Sequence, residues 1–323
     1  MTLNTLYNQD ILIGIRSIPT ESIDLVVTDC PYEIAHRGSN CGSGIFADYK
    51  DLGGGNRQNN KTMELDKIHN EDCLLGMAEL SAESVDLVTI DCPYTLVGGG
   101  CSEGNYKTAK GHSQPSGMLN RQKSYISLSG TLNDQVEAVR KGKIFEHNDI
   151  EFSQWLPEVY RVLKKGTHCY IMINSRNLTE LQTEAEKAGF VFQNLLVWNK
   201  SNSGGTPNKY YMQKCEFILM LSKRPARNIN DMGTPNLLSV PNIIGKGEDC
   251  HPTQKPVELL KVMIRNSTNV GDIVLDPFAG SGSTLIAAQQ LERHYIGYEI
   301  DEKYYQMALR NLRNTPKQTT LFE

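Results

Sequence analysis

The stretch Ile273-Val-Leu-Asp-Pro-Phe-Ala-Gly-Ser-Gly-Ser-Thr284 decides the fold of this 323-residue chain. It opens with a short apolar run, which is typical of a strand buried on both faces. The strand should end at Asp276-Pro277, and Gly280-Ser281-Gly282 then lead into Leu285–Leu291, which has a helical composition. A parallel strand, a glycine turn and a helix N-terminus together bind nucleotide-like ligands at the carboxyl end of the strand. The stretch therefore predicts an α/β fold with a ligand site at this turn.

Two common nucleotide motifs do not fit these residues. A phosphate-binding P-loop needs a lysine followed by Ser or Thr after its last glycine, and no lysine follows Gly282. The dinucleotide fingerprint G-x-G-x-x-G needs a third glycine where this chain has Leu285. The first N–H groups of the helix, together with Ser283 and Thr284, suit a carboxylate instead.

The motif Asp276-Pro-Phe-Ala-Gly-Ser-Gly282 resembles the cofactor loop of the amino-methylating DNA methyltransferases. The resemblance implies S-adenosyl-L-methionine as the cofactor. It places the following residues at the cofactor: Asp276, Phe278, Gly280, Gly282, Ser283 and Thr284. Further on, Tyr295–Asp301 is predicted to form the next strand, with Glu299 near its tip. A carboxylate there can accept hydrogen bonds from both hydroxyls of a ribose.

Length and composition describe one large α/β domain or two small ones. The hydrophobic fraction is 39%, no run approaches the length of a membrane span, and the start of the chain lacks the basic and apolar regions of a signal peptide. We therefore expect a cytoplasmic protein. None of the eight cysteines has metal-ligand spacing, so no metal is predicted and most cysteines should be reduced and structural.

Basic residues concentrate in two segments, although the net charge of the chain is −4. Residues 98–143 contain seven Lys or Arg against three acids, and residues 200–227 contain six against Glu216 alone. Basic loops on a mildly acidic body are compatible with phosphate contact, but they are also compatible with plain solvated loops.

The N-terminal third contains an internal repeat. Between Asn8 and Tyr32, 13 of 25 residues recur at an offset of 62, and each copy ends in Asp-Cys-Pro-Tyr. Each copy is predicted to form a short strand, an amphipathic helix and a buried strand, which is Ile23–Thr28 in the first copy and Val85–Ile90 in the second. Two copies indicate a tandem duplication of one βαβ unit rather than a solenoid.

The remainder of the chain alternates between strands and helices. Helices are predicted at 148–164, 178–188, 257–266 and 302–312, strands at 167–173, 192–198 and 215–221, and an irregular segment at 224–247. Pro256 suits the first turn of the third helix. This alternation predicts a mainly parallel sheet with helices on both faces.

The sequence Asp91-Cys-Pro-Tyr94 resembles the Asp-Pro-Pro-Tyr motif of the DNA adenine-N6 and cytosine-N4 methyltransferases. The order of motifs, with the cofactor loop last, and the segment His251-Pro-Thr-Gln-Lys-Pro256 both resemble the β class of this family. The resemblance covers roughly residues 68–312. It implies a Rossmann-like, S-adenosylmethionine-dependent methyltransferase fold.

The chemistry of amine methylation explains the residue types in this motif. An exocyclic amine conjugated to a base is a poor nucleophile, and the carboxylate of Asp91 and the carbonyl of Cys92 could bind its two hydrogens. Pro93 stiffens the turn. Tyr94 would stack on a base rotated out of the duplex. Catalysis would then depend on positioning and electrostatics, without a covalent enzyme intermediate.

Four alternatives stay open at this point. Cys92 stands where the family has proline, and a covalent cysteine nucleophile is the rival mechanism. The first copy, Asp29–Tyr32, could replace the second as the working motif, although we favour Asp91 because the second copy leads directly into the helix and strand that would lie next in the sheet. Aspartate at the start of the motif favours adenine N6 over cytosine N4 by resemblance only, and a duplication could also have left an inactive DNA-binding or cofactor-binding relative.

Three further cofactor residues follow from the same resemblance. Asp72 matches an acid near the cofactor adenine, although a turn role is equally plausible. Thr253 and Lys255 resemble residues near the methionine carboxylate. We expect residues 1–66 to form the extra copy, 67–314 the catalytic domain with target-recognition loops at 98–143 and 201–247, and 315–323 a tail.

The tail contains a Gln-x-x-Leu-Phe pattern at Gln318, Leu321 and Phe322. It resembles the peptide by which bacterial replication proteins bind the sliding clamp, and two exposed apolar residues could fill such a pocket. The expected partners are therefore double-stranded DNA and, through the tail, a clamp. A homodimer and a companion restriction enzyme are left open by the sequence.

Overall fold

The computed structural model describes residues 63–93, 150–202, 211, 214–243 and 254–315. Within these ranges one eight-stranded sheet carries the fold. Its strands are β1 (Lys67–His69), β2 (Val85–Asp91), β3 (Leu163–Ile173), β4 (Val191–Lys200), β5 (Cys215–Ser222), β6 (Leu237–Val240), β7 (Ile273–Asp276) and β8 (His294–Tyr298). The helices are α1 (Cys73–Glu79), α2 (Phe152–Val162), α3 (Leu178–Lys187), α4 (Val257–Ser267), α5 (Ser283–Gln290) and α6 (Glu302–Asn314).

The spatial order of the strands is β1-β8-β7-β2-β3-β5-β4-β6. β5 is antiparallel to both of its neighbours, and every other pairing in the sheet is parallel. The predicted mainly parallel sheet is confirmed. Because parallel strands end at one edge, the chain places the tips of β2, β7 and β8 side by side.

Helices cover both faces of the sheet, as predicted. α1, α2 and α3 pack on one face around Trp155, which is fully buried. α4, α5 and α6 pack on the other, where Leu285 and Ile264 are buried against β7 and its neighbours. The central strands are apolar on both faces for this reason, and β2 is buried from Val85 to Ile90.

The second copy of the repeat forms the predicted strand, helix and strand as β1, α1 and β2. β1 and β2 flank the pair β8-β7, so the repeat unit encloses the strands of the glycine turn. The first copy, including Ile23–Thr28 and Asp29–Tyr32, lies outside the described residues.

Two predictions about secondary structure are wrong. β3 begins at Leu163, directly after α2, whereas the helix was expected to continue to residue 164 and the strand to begin at residue 167. Gly166 has a φ of 82°, which lets the strand pass through an irregularity where the β2–β3 register shifts. The second error is β6, which lies in the segment predicted to be irregular, so the range 201–247 is not a single loop. The run Leu237-Leu-Ser-Val240 pairs with β4 at the edge of the sheet.

Other boundaries agree within a few residues. α3 ends just before Gly189, which has a φ of 104°. Pro256 is the residue before α4 rather than a member of its first turn. No helix within the described ranges is both long and apolar enough to cross a membrane.

Candidate active site

The tips of β2 and β7 meet at the carboxyl edge of the sheet. β2 pairs with β7 in parallel through Leu87–Val274 and Val88–Leu275. Asp91 ends β2 and Asp276 ends β7, so the two carboxyl groups belong to neighbouring strand ends. Asp91 and the glycine turn therefore lie at the same edge of the sheet.

The glycine turn connects β7 to α5 through two left-handed residues. Gly280 has a φ of 51° and Gly282 a φ of 81°, a region that residues with a Cβ rarely adopt. A Cβ on Gly282 would also lie 3.0 Å from the Cβ of Ala308 on α6. The positive φ values therefore favour glycine at both positions, and Gly282 is in addition tightly packed against α6. The turn leads the chain into the N-terminus of α5.

Glu299 ties this turn to the end of β8. Its Oε2 accepts a hydrogen bond from the Gly280 N–H at 2.8 Å, and its Oε1 accepts one from the Asp301 N–H at 2.8 Å. Each carboxylate oxygen has two lone pairs, so both oxygens keep the capacity to accept a second hydrogen bond. Glu299 is thus oriented by the backbone and still suited to bind a ribose.

Asp72 and Phe278 border the same edge. Asp72 is the N-cap of α1, where its Oδ1 accepts from the Leu74 N–H at 2.7 Å, so its structural role is observed and its cofactor role stays a prediction. Phe278 is only partly buried and packs edge-on against Trp155, with ring centroids 5.6 Å apart.

Asp276 is held inside the turn. Its Oδ1 accepts from the Phe278 N–H at 3.0 Å, and its carboxyl group also makes a hydrogen bond with the Thr284 side chain. Burial raises the pKa of Asp276 to about 7, although both hydrogen bonds oppose that rise. Ser283 is buried at the start of α5, and its hydroxyl lies 3.3 Å from that of Ser281.

Asp91 forms an ion pair that the sequence did not indicate. Lys255 Nζ lies 2.8 Å from Asp91 Oδ2 and 3.5 Å from Glu216 Oε2, and Lys255 is only 8% exposed. Burial raises the pKa of Asp91, whereas the neighbouring ammonium of Lys255 lowers it. The structure therefore places Lys255 against the predicted catalytic acid, and its contact with a methionine carboxylate stays a prediction.

Cys92 is buried behind this acid. Its Sγ donates a weak hydrogen bond to the Met172 carbonyl at 3.8 Å. Burial, reinforced by the charge of Asp91, raises the pKa of the Cys92 thiol well above its usual value. A thiol kept protonated is a poor nucleophile, so these surroundings do not support the covalent alternative.

Some predicted site residues cannot be placed. Tyr94 and Thr253 lie outside the described residues, whereas Pro93 directly follows Cys92 within them. Glu216 was not predicted as a site residue. One feature of the sequence could have singled out Glu216, because it is the only acidic residue in the basic segment 200–227.

Known proteins resemble this chain over most of its length. A family model described as DNA methylase, N6_N4_Mtase, matches residues 85–310. The DNA adenine methyltransferase YhdJ of Escherichia coli K12 is 30% identical over 285 residues, covering 77% of this chain and 83% of that protein. The type II methyltransferase M2.DpnII of Streptococcus pneumoniae is 29% identical over 266 residues, covering 75% and 87%.

Solved structures share the fold. M1.HpyAVI, crystallised as a complex with SAM, has a TM-score of 0.52 at 23% identity, covering 76% of this chain and 99% of that one. The cytosine-N4-specific PvuII DNA methyltransferase has a TM-score of 0.55 at 16% identity, covering 80% and 89%. Because the family model for DNA methylases matches most of the length of this chain, the chain belongs to the N6/N4 family of DNA methylases.

Proposed function

We propose that this protein transfers the methyl group of S-adenosyl-L-methionine to the exocyclic N6 amine of an adenine in specific DNA sites. The observation that carries the proposal is the adjacency of β2 and β7. It sets Asp91, an acceptor suited to an amine, beside the turn of Gly280 and Gly282, which suits the cofactor. An amine and a methyl donor bound at these two strand ends would share one crevice.

The amine is bound by the end of β2. The carboxylate of Asp91 and the carbonyl of Cys92 accept its two hydrogens, which orients the nitrogen lone pair toward the methyl group. Pro93 holds this turn in an extended geometry. Tyr94 stacks on the flipped base. These residues act by positioning and by accepting hydrogen bonds, so the reaction needs no covalent enzyme intermediate.

The cofactor is bound by the ends of β7 and β8 and by the start of α5. Glu299 accepts hydrogen bonds from the ribose, and the N-terminus of α5 with Ser283 and Thr284 binds the carboxylate. Asp72, Thr253, Lys255 and Phe278 complete the proposed cofactor set. When bound, S-adenosylmethionine supplies a methyl group on a sulfonium centre.

Adenine is favoured over cytosine by the relatives. YhdJ, at 30% identity, is named a DNA adenine methyltransferase, whereas the cytosine-N4-specific neighbour is only 16% identical. The aspartate that opens the motif agrees with this preference. Cytosine N4 is the second candidate, since the family model includes both activities.

Transfer of a labelled methyl group tests the proposal. Purified protein is incubated with tritiated S-adenosylmethionine and DNAs of varied sequence, and the modified bases are identified and mapped by long-read sequencing. We expect N6-methyladenine at one recurring sequence. Methylation confined to cytosine N4 would establish the second candidate. Cofactor binding without methyl transfer to any DNA would identify an inactive relative.

The proposal also assigns roles to longer segments of the chain. Residues 98–143 and parts of 201–247 are proposed target-recognition loops, 1–66 the extra copy, and 67–314 the catalytic domain. We expect the protein to act on DNA in the cytoplasm. The type II methyltransferases among its relatives favour a role in restriction and modification. A homodimer is compatible with these proposals.

The tail 315–323 is proposed to bind the sliding clamp through Gln318, Leu321 and Phe322. Residues 316–323 lie outside the described ranges, so the proposal rests on the sequence pattern alone. Deleting Gln318–Glu323 should abolish binding to purified clamp. An unchanged affinity would dispose of this role.

A further inference from the structure

Four charged side chains alternate in sign along the carboxyl edge of the sheet. Lys200 Nζ pairs with Glu216 Oε1, Glu216 Oε2 lies 3.5 Å from Lys255 Nζ, and Lys255 Nζ lies 2.8 Å from Asp91 Oδ2. The side chains of Lys200, Glu216 and Asp91 are only 19%, 22% and 24% exposed. We call this set the charge chain.

The reversed strand β5 brings the charge chain together. β2 and β4 end at the carboxyl edge of the sheet, with Asp91 and Lys200 as their last residues. β5 runs in the opposite direction, so its first residues, including Glu216, lie at that same edge. Lys255 reaches the edge from the segment just before α4. An all-parallel sheet would have placed Glu216 at the far edge.

Lys200 is held by packing as well as by charge. Lys200 Nζ lies 5.0 Å from the ring centroid of Trp198. The Trp198 ring is itself fixed, because its Nε1–H donates to the Val240 carbonyl at 2.8 Å. This contact restricts where Lys200 can lie and keeps it on Glu216 rather than in solvent.

The charge of Glu216 affects the protonation state of Asp91. Burial disfavours the ionised form of Glu216, but Lys255 and Lys200 together lower its pKa, so it carries a negative charge. Lys255 is therefore shared between two carboxylates. If Lys255 paired with Asp91 alone, it would neutralise the charge of that carboxylate more completely. If no lysine paired with Asp91, burial would favour the protonated form of its carboxyl group.

We propose that Glu216 and Lys200 are positioning residues for methyl transfer, which set the charge of Asp91 through Lys255. This inference rests on the proposed function, since Asp91 must be an ionised acceptor for the amine. Glu216 and Lys200 need not touch the base or the cofactor to act in this way.

Other ionisable groups face Asp91 within the described residues and must be separated from the charge chain. Glu216 on β5 disfavours the ionised form of Asp91, whereas Lys255 and Lys200 favour it, and the charge of Asp91 helps to raise the pKa of Asp276 on β7. Cys92, the next residue along the chain, is kept protonated by burial. Substitutions in Glu216 and Lys200 leave Asp276 and Cys92 unchanged, so they isolate the contribution of the charge chain.

The test is the pH dependence of the methyl-transfer rate in single turnover, at saturating cofactor and DNA. Glu216→Gln removes a negative charge, so the acid limb of the profile should move to lower pH. Lys200→Met removes a positive charge and keeps an unbranched side chain at this position, so the acid limb should move to higher pH. Opposite shifts identify a charge effect, because a merely structural disturbance would not depend on the sign of the charge.

Glu258→Gln is the matched control. Glu258 is an exposed acid on α4 that pairs with Lys261 Nζ at 2.7 Å and is not a member of the charge chain. The acid limb of the pH profile of Glu258→Gln should coincide with that of the unmodified protein. Cofactor affinity measured by calorimetry verifies that each variant is folded. If one of the two charge-chain variants does not fold, the direction of the pH shift in the other variant tests the proposal.

Two failures are distinguishable. An unmodified protein that methylates no DNA would overturn the proposed function. An active protein whose Glu216→Gln and Lys200→Met profiles coincide with its own, or shift in the same direction, would overturn the role of the charge chain and leave the proposed function intact.

Discussion

At the scale of single residues, Cys92 is the departure from the Asp-Pro-Pro-Tyr pattern. Its proposed contribution is a main-chain carbonyl, which every residue has, while its thiol is buried and donates to Met172. Cys92→Ala should therefore keep most of the methyl-transfer rate. It should lower the free energy of unfolding by about 1 kcal/mol, because a small apolar group leaves a packed site. Single-turnover kinetics and urea denaturation measure the two effects, and loss of all activity in a folded variant would restore the covalent alternative.

Glu299 should matter for cofactor affinity rather than for stability alone. Two backbone N–H groups orient its carboxylate, and the ribose would add further charge-assisted hydrogen bonds. Glu299→Ala should weaken S-adenosylmethionine binding at least ~10-fold, since one such bond contributes about 1.5–3 kcal/mol. Titration calorimetry gives the affinity.

The control for this variant is Glu302→Ala, on the exposed first turn of α6. It removes a carboxylate three residues away without touching the glycine turn. Equal cofactor affinities in the Glu299 and Glu302 variants would show that Glu299 does not bind the ribose.

At the scale of elements, the contact between α1 and β8 fixes the repeat unit onto the cofactor strands. A Cβ on Gly76 of α1 would lie 2.1 Å from Cε1 of Tyr298, at the end of β8. Gly76→Ala should therefore destabilise the fold by about 1–3 kcal/mol through overpacking, despite the higher helix propensity of alanine. The midpoint of urea denaturation measures this change.

Leu75→Ala is the comparison on the same helix. Leu75 is 68% exposed, so its truncation should change the free energy of unfolding by less than about 0.5 kcal/mol. A Gly76→Ala protein as stable as this control would mean that α1 does not pack closely on Tyr298.

The elements also show how far the sequence could be interpreted. Local signals were sufficient for the turn at Gly280 and Gly282, because the positive φ values demand glycine. They were insufficient for β6, whose four residues become a strand only by pairing with β4. Local sequence patterns could not predict which charged residues lie near Asp91 either. Glu216 lies at the same edge only because β5 runs antiparallel to its neighbours, and the direction of a strand depends on the whole sheet.

At the scale of the whole molecule, acids buried at one edge of the sheet couple stability to pH. Burial raises the pKa of Asp276 from 3.8 to about 7. Between these values the folded protein holds a proton that the unfolded chain releases, so this group's contribution to stability is fully present below pH 3.8 and is lost as the pH rises to about 7. Asp276→Asn should remove that decline.

Thermal or urea unfolding from pH 4 to pH 8 measures this difference. The stability of the unmodified protein relative to Asp276→Asn should fall as the pH rises toward 7 and then stay constant. A relative stability that rises with pH over this interval would mean that the carboxyl group is ionised in the folded state.

The central claim is that Asp91 and the glycine turn serve one active site, with Asp91 holding the amine and the turn holding the cofactor. The most direct measurement compares cofactor affinity and methyl transfer in the Asp91→Ala protein, with Asp29→Ala in the first repeat copy as the matched control. We predict that Asp91→Ala keeps its affinity for S-adenosylmethionine and loses at least ~100-fold in transfer rate, the size of effect seen when one preorganised hydrogen-bonding group is removed. Asp29→Ala should keep most of its activity. Full activity in Asp91→Ala, with loss in Asp29→Ala, would contradict the account and assign the reaction to the first copy.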